Sequence, residues 1–573
     1  MSGSRCPDRR TQPSKFLVCT MPIVSEVAPI GRPSNPLHVD IFRRMLIYGE
    51  EKERPALIDP AGEETVSFAQ LTESTIMMAH ILETQGVQKG NVVSVFMPTS
   101  WRFPVAFLGI MTAGGVVTGA GVEGTHYETR RHLRECGAKF VVTDSEYVFE
   151  IIDSLKEIPT SEKPMLLVFI MKGDEFLEIP TDMRVCRIMT DSLYGHHLTF
   201  EKVCVPIDLD NDLATLFFSS GTTGLPKGVM STHANLAYMS VMEMAFSERC
   251  VYPVLHKDGF DGKNEIMMMY MPLHMAMSFF TSVQSLRKGV AQVMIRCPVD
   301  VFEYIPKYKP TTFVTAPSML AGLTARYTDC AAITNLTVGA APTTRRQYNE
   351  VMKAYPNLKY FSQGYGMTEL TVACCYTDFR YPIPFGSVGK IMPNMVMKIM
   401  KENGDECGVG EAGEIWVKGP NVMKGYLNNE QATRDTIDEE GFLHTGDIGY
   451  INSSEHIFIT ARMKELIKVG GRQVAPAELE SELSTHPAID EVAVIGVPDP
   501  ERDSELPKAF VVLKEGETAT VEDIQGYLNG KLSHYKQLAG GVQFINHIPR
   551  HRTGKILREQ LRSKYCTPMR AHI

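Results

Sequence analysis

The stretch LFFSSGTTGLPKGVM, residues 216–230, runs from an apolar, strand-like segment into a loop of hydroxyls and glycines that carries one lysine. Ser219, Ser220, Thr222 and Thr223 offer hydroxyl donors, Gly221 and Gly224 let backbone N–H groups turn toward one point, and Lys227 adds a positive charge. A di- or triphosphate asks for that set, because each phosphoryl oxygen takes a donor and the summed charge takes a cation. A polar surface turn uses the same residue types, so the loop alone leaves both readings open. The Walker A pattern G-x-x-x-x-G-K-[ST] fits less well. Gly221 and Lys227 match its first glycine and its lysine, but Pro226 stands at the second glycine and Gly228 where a metal-binding hydroxyl belongs. A P-loop kinase or ATPase is therefore disfavoured.

Outward from this loop the chain alternates apolar runs (VVSVFM, KFVVTD, MLLVFIM, EIMMMYMP, TTFVTAP) with longer helical stretches. That is the rhythm of β-α units in a mainly parallel sheet. Past Gly386 the strands shorten and glycine becomes frequent, which predicts a smaller antiparallel or barrel-like subdomain over about 387–463. Residues 464–573 read as a small, mobile α+β C-terminal domain, with a hinge near Arg462–Lys468. The fold class is therefore α/β: a large N-terminal domain over 35–463, the small domain after it, and a frayed tail over 1–34. Crevices between such bodies are common ligand sites.

At 573 residues the chain exceeds the roughly 250–300 at which single cores stop growing. Its 44% hydrophobic and 22% charged residues are those of a soluble globular protein, and a net charge of -9 argues against a nucleic-acid partner. Twelve cysteines with no C-x-x-C spacing read as reduced thiols. Phe103 to Val122 holds twenty residues without a charge, but Pro104 and five glycines break it into a buried helix, a turn and a core strand rather than a membrane span.

Other segments complete a pattern. SSGTTGLPKGV resembles the phosphate loop of adenylate-forming enzymes, the acyl-CoA synthetase, peptide-synthetase adenylation and luciferase group. VGAAP (338–342), QGYGMTE (363–369), HTGD (444–447), RMKELIK (462–468) and RTGKILR (552–558) are similar to that family's further motifs, in the same order. The resemblance covers about residues 35–565 and is greatest to the coumarate-ligase and luciferase-like acyl-CoA synthetase branch.

The resemblance implies ATP, Mg2+ and CoA as participants, and roles for single residues. Lys555 would bridge the attacking carboxylate and the α-phosphate, Thr368 would donate to that phosphate, and Glu369 would hold magnesium. Gly339, Ala340 and Ala341 would line adenine with Tyr365 against it, and Gln363, Gly364 and Gly366 would shape the same signature loop. Asp447 and Arg462 would hold ribose, and Lys464 would be the pivot of domain alternation. Lys468, Gly470, Gly471 and Gln473 would serve CoA or AMP in the second arrangement, and His274, Met275 and Ser278 would border the acyl pocket. Three residues depart from the pattern: Ala461 replaces an aspartate, Gly470 replaces a lysine of some plant-type members, and His274 falls one place early.

Tyr270 to Phe280 contains no acid to hold a substrate ammonium, so an α-amino acid is not expected. The segment is methionine-rich instead, and about half of those side chains are expected in the strand core with the rest at an apolar pocket. No carrier segment follows Lys555, so the expected acceptor is CoA or a separate carrier protein, CoA being the simpler choice. The function implied is an ATP-dependent acid:CoA ligase acting on an apolar fatty or aryl acid. The alternatives are a luciferase-type adenylating oxygenase and a nucleotide-binding relative without turnover, the latter motivated by Ala461 and His274. The last three residues, Ala571-His572-Ile573, imitate a peroxisomal tripeptide, so peroxisome or cytoplasm is the expected compartment.

Overall fold

The computed structural model describes residues 22–219, 226–256, 259–326, 330–339, 341–356, 358, 360–469, 472–499, 504–529, 531–550 and 554–565, without the side chains of 472 and 473. Two sheets build the large body. One has eight strands in the order Gly425–Tyr426, Lys227–Thr232, Leu213–Ser219, Val116–Gly119, Val92–Phe96, Phe140–Asp144, Met165–Ile170 and Val185–Met189. The other has seven, running from Tyr360–Gln363 through Asn335–Val338, Thr312–Thr315, Ile266–Met269, Ala291–Met294 and Pro55–Asp59 to Glu64–Ser67. Antiparallel pairing is confined to the two strands at one edge of the first sheet and the last pair of the second. The parallel strands are near-continuous apolar runs because helices cover both faces.

Local signals set the helices. Ser67 and Gln70 form a capping box that starts helix Phe68–Thr84. Helix Arg102–Thr112 is buried along its whole length and packs on Phe68–Thr84, where a Cβ on Gly109 would lie 2.6 Å from Met78 Cγ. The uncharged run 103–122 thus resolves into this helix, a turn at Gly114 (φ +78) and strand Val116–Gly119. No helix among the described residues is long and apolar enough to cross a membrane.

One expectation changes. The smaller subdomain is an antiparallel sheet of five strands, Ile23–Val24, Val396–Met400, Gly413–Lys418, Leu443–Ile451 and Ile457–Arg462. Its first strand comes from the stretch expected as tail. Residues 22–34 are packed, with Val27 buried, Lys390 Nζ 2.6 Å from Glu26 Oε1 and Ile30 N 2.7 Å from Asn394 Oδ1.

The C-terminal unit holds the three-stranded sheet Ile489–Pro498, Glu505–Leu513 and Val542–Phe544, with helices Pro476–Leu483, Val521–Gly526 and Arg558–Tyr565. Leu479, Val494, Val511 and Ile524 form its own core. It touches the large body where Arg346 donates to Ile489 O and pairs with Asp490 (3.3 Å), and where Gly554 meets Ser318.

Candidate active site

Strand Leu213–Ser219 delivers Ser219 to the mouth of the hydroxyl-rich loop, and the return strand sets Lys227 directly opposite Ser219. Ser220, Gly221, Thr222, Thr223 and Gly224, with Ala340, Gly470, Gly471 and the Gln473 side chain, lie outside the described residues. Ser219 Oγ is buried with no hydrogen-bond partner among the described residues. An orphaned buried hydroxyl at this point fits a ligand oxygen that completes it.

Lys227 Nζ sits 4.8 Å from the centroid of the Tyr426 ring, and Tyr426 Oη donates to Glu369 Oε1 at 2.8 Å. One tyrosine therefore joins the loop lysine to the buried carboxylate. Burial, then the Glu369 charge, pushes the Tyr426 phenol up, so it remains a donor. Glu369 follows Thr368 in the short 3-10 turn Thr368–Leu370, on a loop that only a few backbone shapes allow. A Cβ on Gly366 would fall 2.0 Å from Val372 O, and Thr371 and Val372 hold φ of 45° and 98°. A β-branched residue at that φ is strained and persists only where its surroundings over-determine it. Asn421, fully buried, supplies that restraint: its Nδ2 donates to Leu370 O (2.7 Å) and Ala373 O (3.0 Å), and its backbone carbonyl accepts from Thr371 Oγ1 (2.8 Å).

Asp447 and Arg462 are register partners across strands Leu443–Ile451 and Ile457–Arg462. Arg462 Nε donates to Asp447 Oδ1 at 2.7 Å, and Tyr365 Oη donates to Asp447 Oδ2 at 2.7 Å. Burial and the Asp447 charge push the Tyr365 phenol well above its usual range, which keeps it a donor. A carboxylate offers about four lone-pair sites, so Asp447 keeps capacity for a ribose hydroxyl. Ala461 is buried opposite Ile448, and the Arg462–Asp447 pair forms without an aspartate there.

Gly339 directly follows strand Asn335–Val338, and Gln363 ends the neighbouring strand, opposite Val338. They border the same ≈ 3050 Å³ cavity as Ala341, Gly364, Thr368 and Glu369. Lys555, from the small domain, enters this cavity and interacts electrostatically with Arg462, Glu465, Asp447 and Arg558. Burial, then the charge of Arg462, holds its ammonium below the usual lysine value. Lys464 is exposed in the turn Met463–Glu465. Lys468 is exposed on strand Ile467–Val469, where its N–H donates to Glu505 Oε2 at 2.9 Å. It does not line the cavity in this arrangement.

At the acyl side, His274 packs on Gly119, whose Cβ would lie 2.7 Å from His274 Cβ. Neighbouring His132 is half-buried, and burial, then the charges of His274 and Arg131, lowers it to about 3, so it is neutral. Met275 caps helix Ala276–Arg287. Ser278 is buried, but its hydroxyl turns to the carbonyls of Pro272 and Met275 rather than outward. Met268 and Met269 are core, while Met267, Met271 and Met277 are half-buried at the cavity. Tyr426 and Asn421 carry no motif of their own and were not signalled by the sequence. Glu243 and Lys288, a 2.7 Å ion pair at the cavity wall, were not either.

Residues 48–427 match the family described as AMP-binding enzyme, and residues 478–555 match the AMP-binding enzyme C-terminal domain. The chain belongs to the AMP-binding enzyme family. This AMP-binding enzyme is 34% identical to 4-coumarate-CoA ligase 1 of Narcissus pseudonarcissus over 543 residues, covering 92% of this chain and 93% of that protein. It is 31% identical to acyl-CoA synthetase 7 of Caenorhabditis elegans over 549 residues, covering 94% and 98%. The ATP-bound crystal structure of MatB from Rhodopseudomonas palustris shares the fold, with a TM-score of 0.79 and 24% identity over 93% of this chain and 99% of that one. The AMP-binding enzyme is thus an AMP-forming acid-thiol ligase, with ATP and CoA as substrates.

Proposed function

We propose that the enzyme esterifies AMP to a carboxylic acid with a largely apolar body and then passes the acyl group to CoA, and that the arrangement described here is the adenylating one. The observation that carries this is Lys555 of the small domain in one cavity with Asp447 and Arg462 of the large body. A carboxylate is a poor acylating agent because oxide would have to leave. In the first half-reaction its oxygen attacks the α-phosphorus of ATP and pyrophosphate leaves. In the second, the CoA thiolate attacks the acyl carbon and AMP leaves with the bonding electrons. Two negative groups must meet in the first step, so preorganised positive charge is the main requirement.

Lys555 bridges the two anions, Thr368 donates to the α-phosphate, and Lys227 with the Ser219 hydroxyl holds the departing pyrophosphate. Asp447 accepts from ribose while Arg462 and Tyr365 fix its orientation. Magnesium fits Glu369 as a single carboxylate ligand beside the phosphates: Tyr426 orients that carboxylate, and no group of three or more His, Cys, Asp or Glu among the described residues could cage an ion. Bound there, the ion would neutralise phosphate charge. The absence of an acid over Tyr270–Phe280 supports exclusion of α-amino acids.

The test is CoA-dependent AMP release across a panel of acids against an acid-free blank. Lys555→Ala should lose about 10²–10³-fold in adenylation and retain thioester formation from supplied acyl-AMP. Equal losses in both half-reactions would overturn the assignment. A relative is named a peroxisomal ligase, which supports a peroxisomal address; imaging the chain with and without Ala571-His572-Ile573 checks it.

A further inference from the structure

The acyl cavity is not apolar to its end. Helix Ala276–Arg287 forms one wall, from which Met277, Thr281, Gln284, Ser285 and then Lys288 face the cavity. Their spacing of i, i+4, i+7, i+8 and i+11 is one stripe of an α-helix. Met277 marks the adenylate end, since a Cβ on Gly339 would lie 3.6 Å from its Sδ. Lys288 marks the other end, eleven residues on, or ~16 Å at ~1.5 Å per residue.

There Lys288 Nζ meets Glu243 Oε1 at 2.7 Å, with side chains only 16% and 12% exposed. Gln284 Nε2 donates to Glu243 Oε2 at 2.7 Å, and Ser247 Oγ donates to Glu243 Oε1 at 2.7 Å. Burial, the largest single influence, pushes Lys288 down and Glu243 up, but the opposite charge and the hydrogen bonds around each together reverse it, so Lys288 is raised, Glu243 is lowered and both stay ionised. Beside them lies the buried Tyr252 hydroxyl, within reach of Lys288 and Ser247.

A buried ion pair is a poor way to hold a corner that two apolar side chains of similar volume would hold as well. Against a substrate ending in methyl, the pair is a penalty, because the methyl displaces solvation from charges and returns nothing. Against an oxygen it is a partner. An ammonium carries three donors; Glu243 takes one and Tyr252 lies against another, which leaves a donor for a ligand oxygen, with the Tyr252 hydroxyl beside it. Because Glu243 and Lys288 balance each other, a neutral group suits the corner better than a second carboxylate or an amine.

We propose that the far end of the acyl cavity is a binding site for a neutral oxygen, hydroxyl or carbonyl, at the distal end of a long-chain carboxylic acid, received by Lys288 Nζ and Tyr252 Oη. This rests on the acid:CoA ligase reading and deepens it. A reach of ~16 Å corresponds to about twelve to fourteen extended bonds, taking ~3.5 Å per three bonds from an extended backbone. The oxygen would thus sit near the twelfth carbon.

The test compares CoA-dependent AMP release by the full chain with dodecanoate, 12-hydroxydodecanoate and benzoate. The expected result is a kcat/KM for the hydroxy acid at least tenfold above that for dodecanoate. The ratio should shrink in Tyr252→Phe and fall to about one or below in Glu243→Met/Lys288→Met, which removes the pair without stranding a charge. If the double variant fails to fold, the wild-type and Tyr252→Phe ratios decide. A wild-type ratio of one or less, or a ratio that survives in a folded double variant, overturns this inference and leaves the ligase reading standing. No AMP release with any acid overturns both.

Discussion

Gly554 offers a perturbation that separates the two half-reactions. It immediately precedes Lys555 and holds φ +82, and a Cβ there would lie 2.9 Å from Ser318 Oγ and 3.4 Å from Ser318 Cβ on the large body. Gly554→Ala therefore adds two costs. The first is the left-handed backbone, about 1–2 kcal/mol for an L-residue, paid wherever that turn persists. The second is the contact with Ser318, paid only while the small domain is docked as described. Relieving about half an ångström of overlap costs ~1 kcal/mol, the low end of the overpacking range, or roughly fivefold. Adenylation, followed as pyrophosphate–ATP exchange, should then fall about 30–150-fold, and thioester formation from supplied acyl-AMP by no more than the backbone share. Ser318→Ala removes the offending oxygen and leaves an ordinary contact, so the double variant should regain about fivefold in adenylation and nothing in thioester formation. A double variant no faster than Gly554→Ala, or equal losses in both half-reactions, would refute the docked contact.

The charge state of Lys555 sets a pH limb. Because burial and Arg462 lower its pKa from 10.5, the folded chain binds fewer protons than the unfolded one between the lowered value and 10.5, so that group's contribution to stability rises with pH there, while adenylation falls as the ammonium is lost. Lys555→Arg, charged throughout, should move the alkaline limb of the adenylation profile upward; an unmoved limb means another group titrates. Tyr426→Phe strips a donor from Glu369, which is only 5% exposed, and should cost about 1–3 kcal/mol of adenylation, with thioester formation from acyl-AMP spared; loss of both to the same degree would point to general destabilisation. Lys464→Pro suits the 3-10 turn it sits in, since proline's φ matches, and should leave adenylation running while the full rate to acyl-CoA drops; an unchanged full rate would remove Lys464 from the hinge.

The α/β class was legible because parallel strands covered on both faces must be continuous apolar runs, and VVSVFM, KFVVTD and MLLVFIM are such runs with strands at Val92–Phe96, Phe140–Asp144 and Met165–Ile170. The packed segment 22–34 was not legible: Ile23 pairs with Met397, and a two-residue strand carries no periodicity. At the site, Ser219, Lys227, Gln363 and Arg462 sit at strand ends, and the resemblance of their motifs to those of a known family marked them as candidates. Tyr426 lies 57 positions from Glu369 and Lys288 lies 45 from Glu243, and each such residue looks like an ordinary core or surface position until the fold brings its partner to it. Asn421 was hidden for the same reason, since its work is to hold backbone carbonyls that belong to another segment.

The ion pairs around Lys555 bear on where the proposed hinge would bend. Arg462 is tied to Asp447 within the large body's sheet. Three residues later Glu465 accepts from Arg558 Nε at 3.0 Å, and the same guanidinium holds both oxygens of Glu480 at 2.8 and 3.1 Å. Glu480 in turn accepts from Val494 N at 2.8 Å in the small domain's sheet. Arg558 and Glu480 are nearly buried, with side chains 12% and 11% exposed, so stranding either charge by breaking their pair would cost about 3–5 kcal/mol. A rotation that keeps both attachments must take up its change in φ and ψ between Arg462 and Glu465, at Met463 and Lys464. Lys555, three residues before Arg558, then travels with the small domain while Asp447 and Arg462 stay behind. Rotation about those two residues would carry the lysine's charge out of the cavity and clear a path for the thiol without disturbing the nucleotide's ribose contacts.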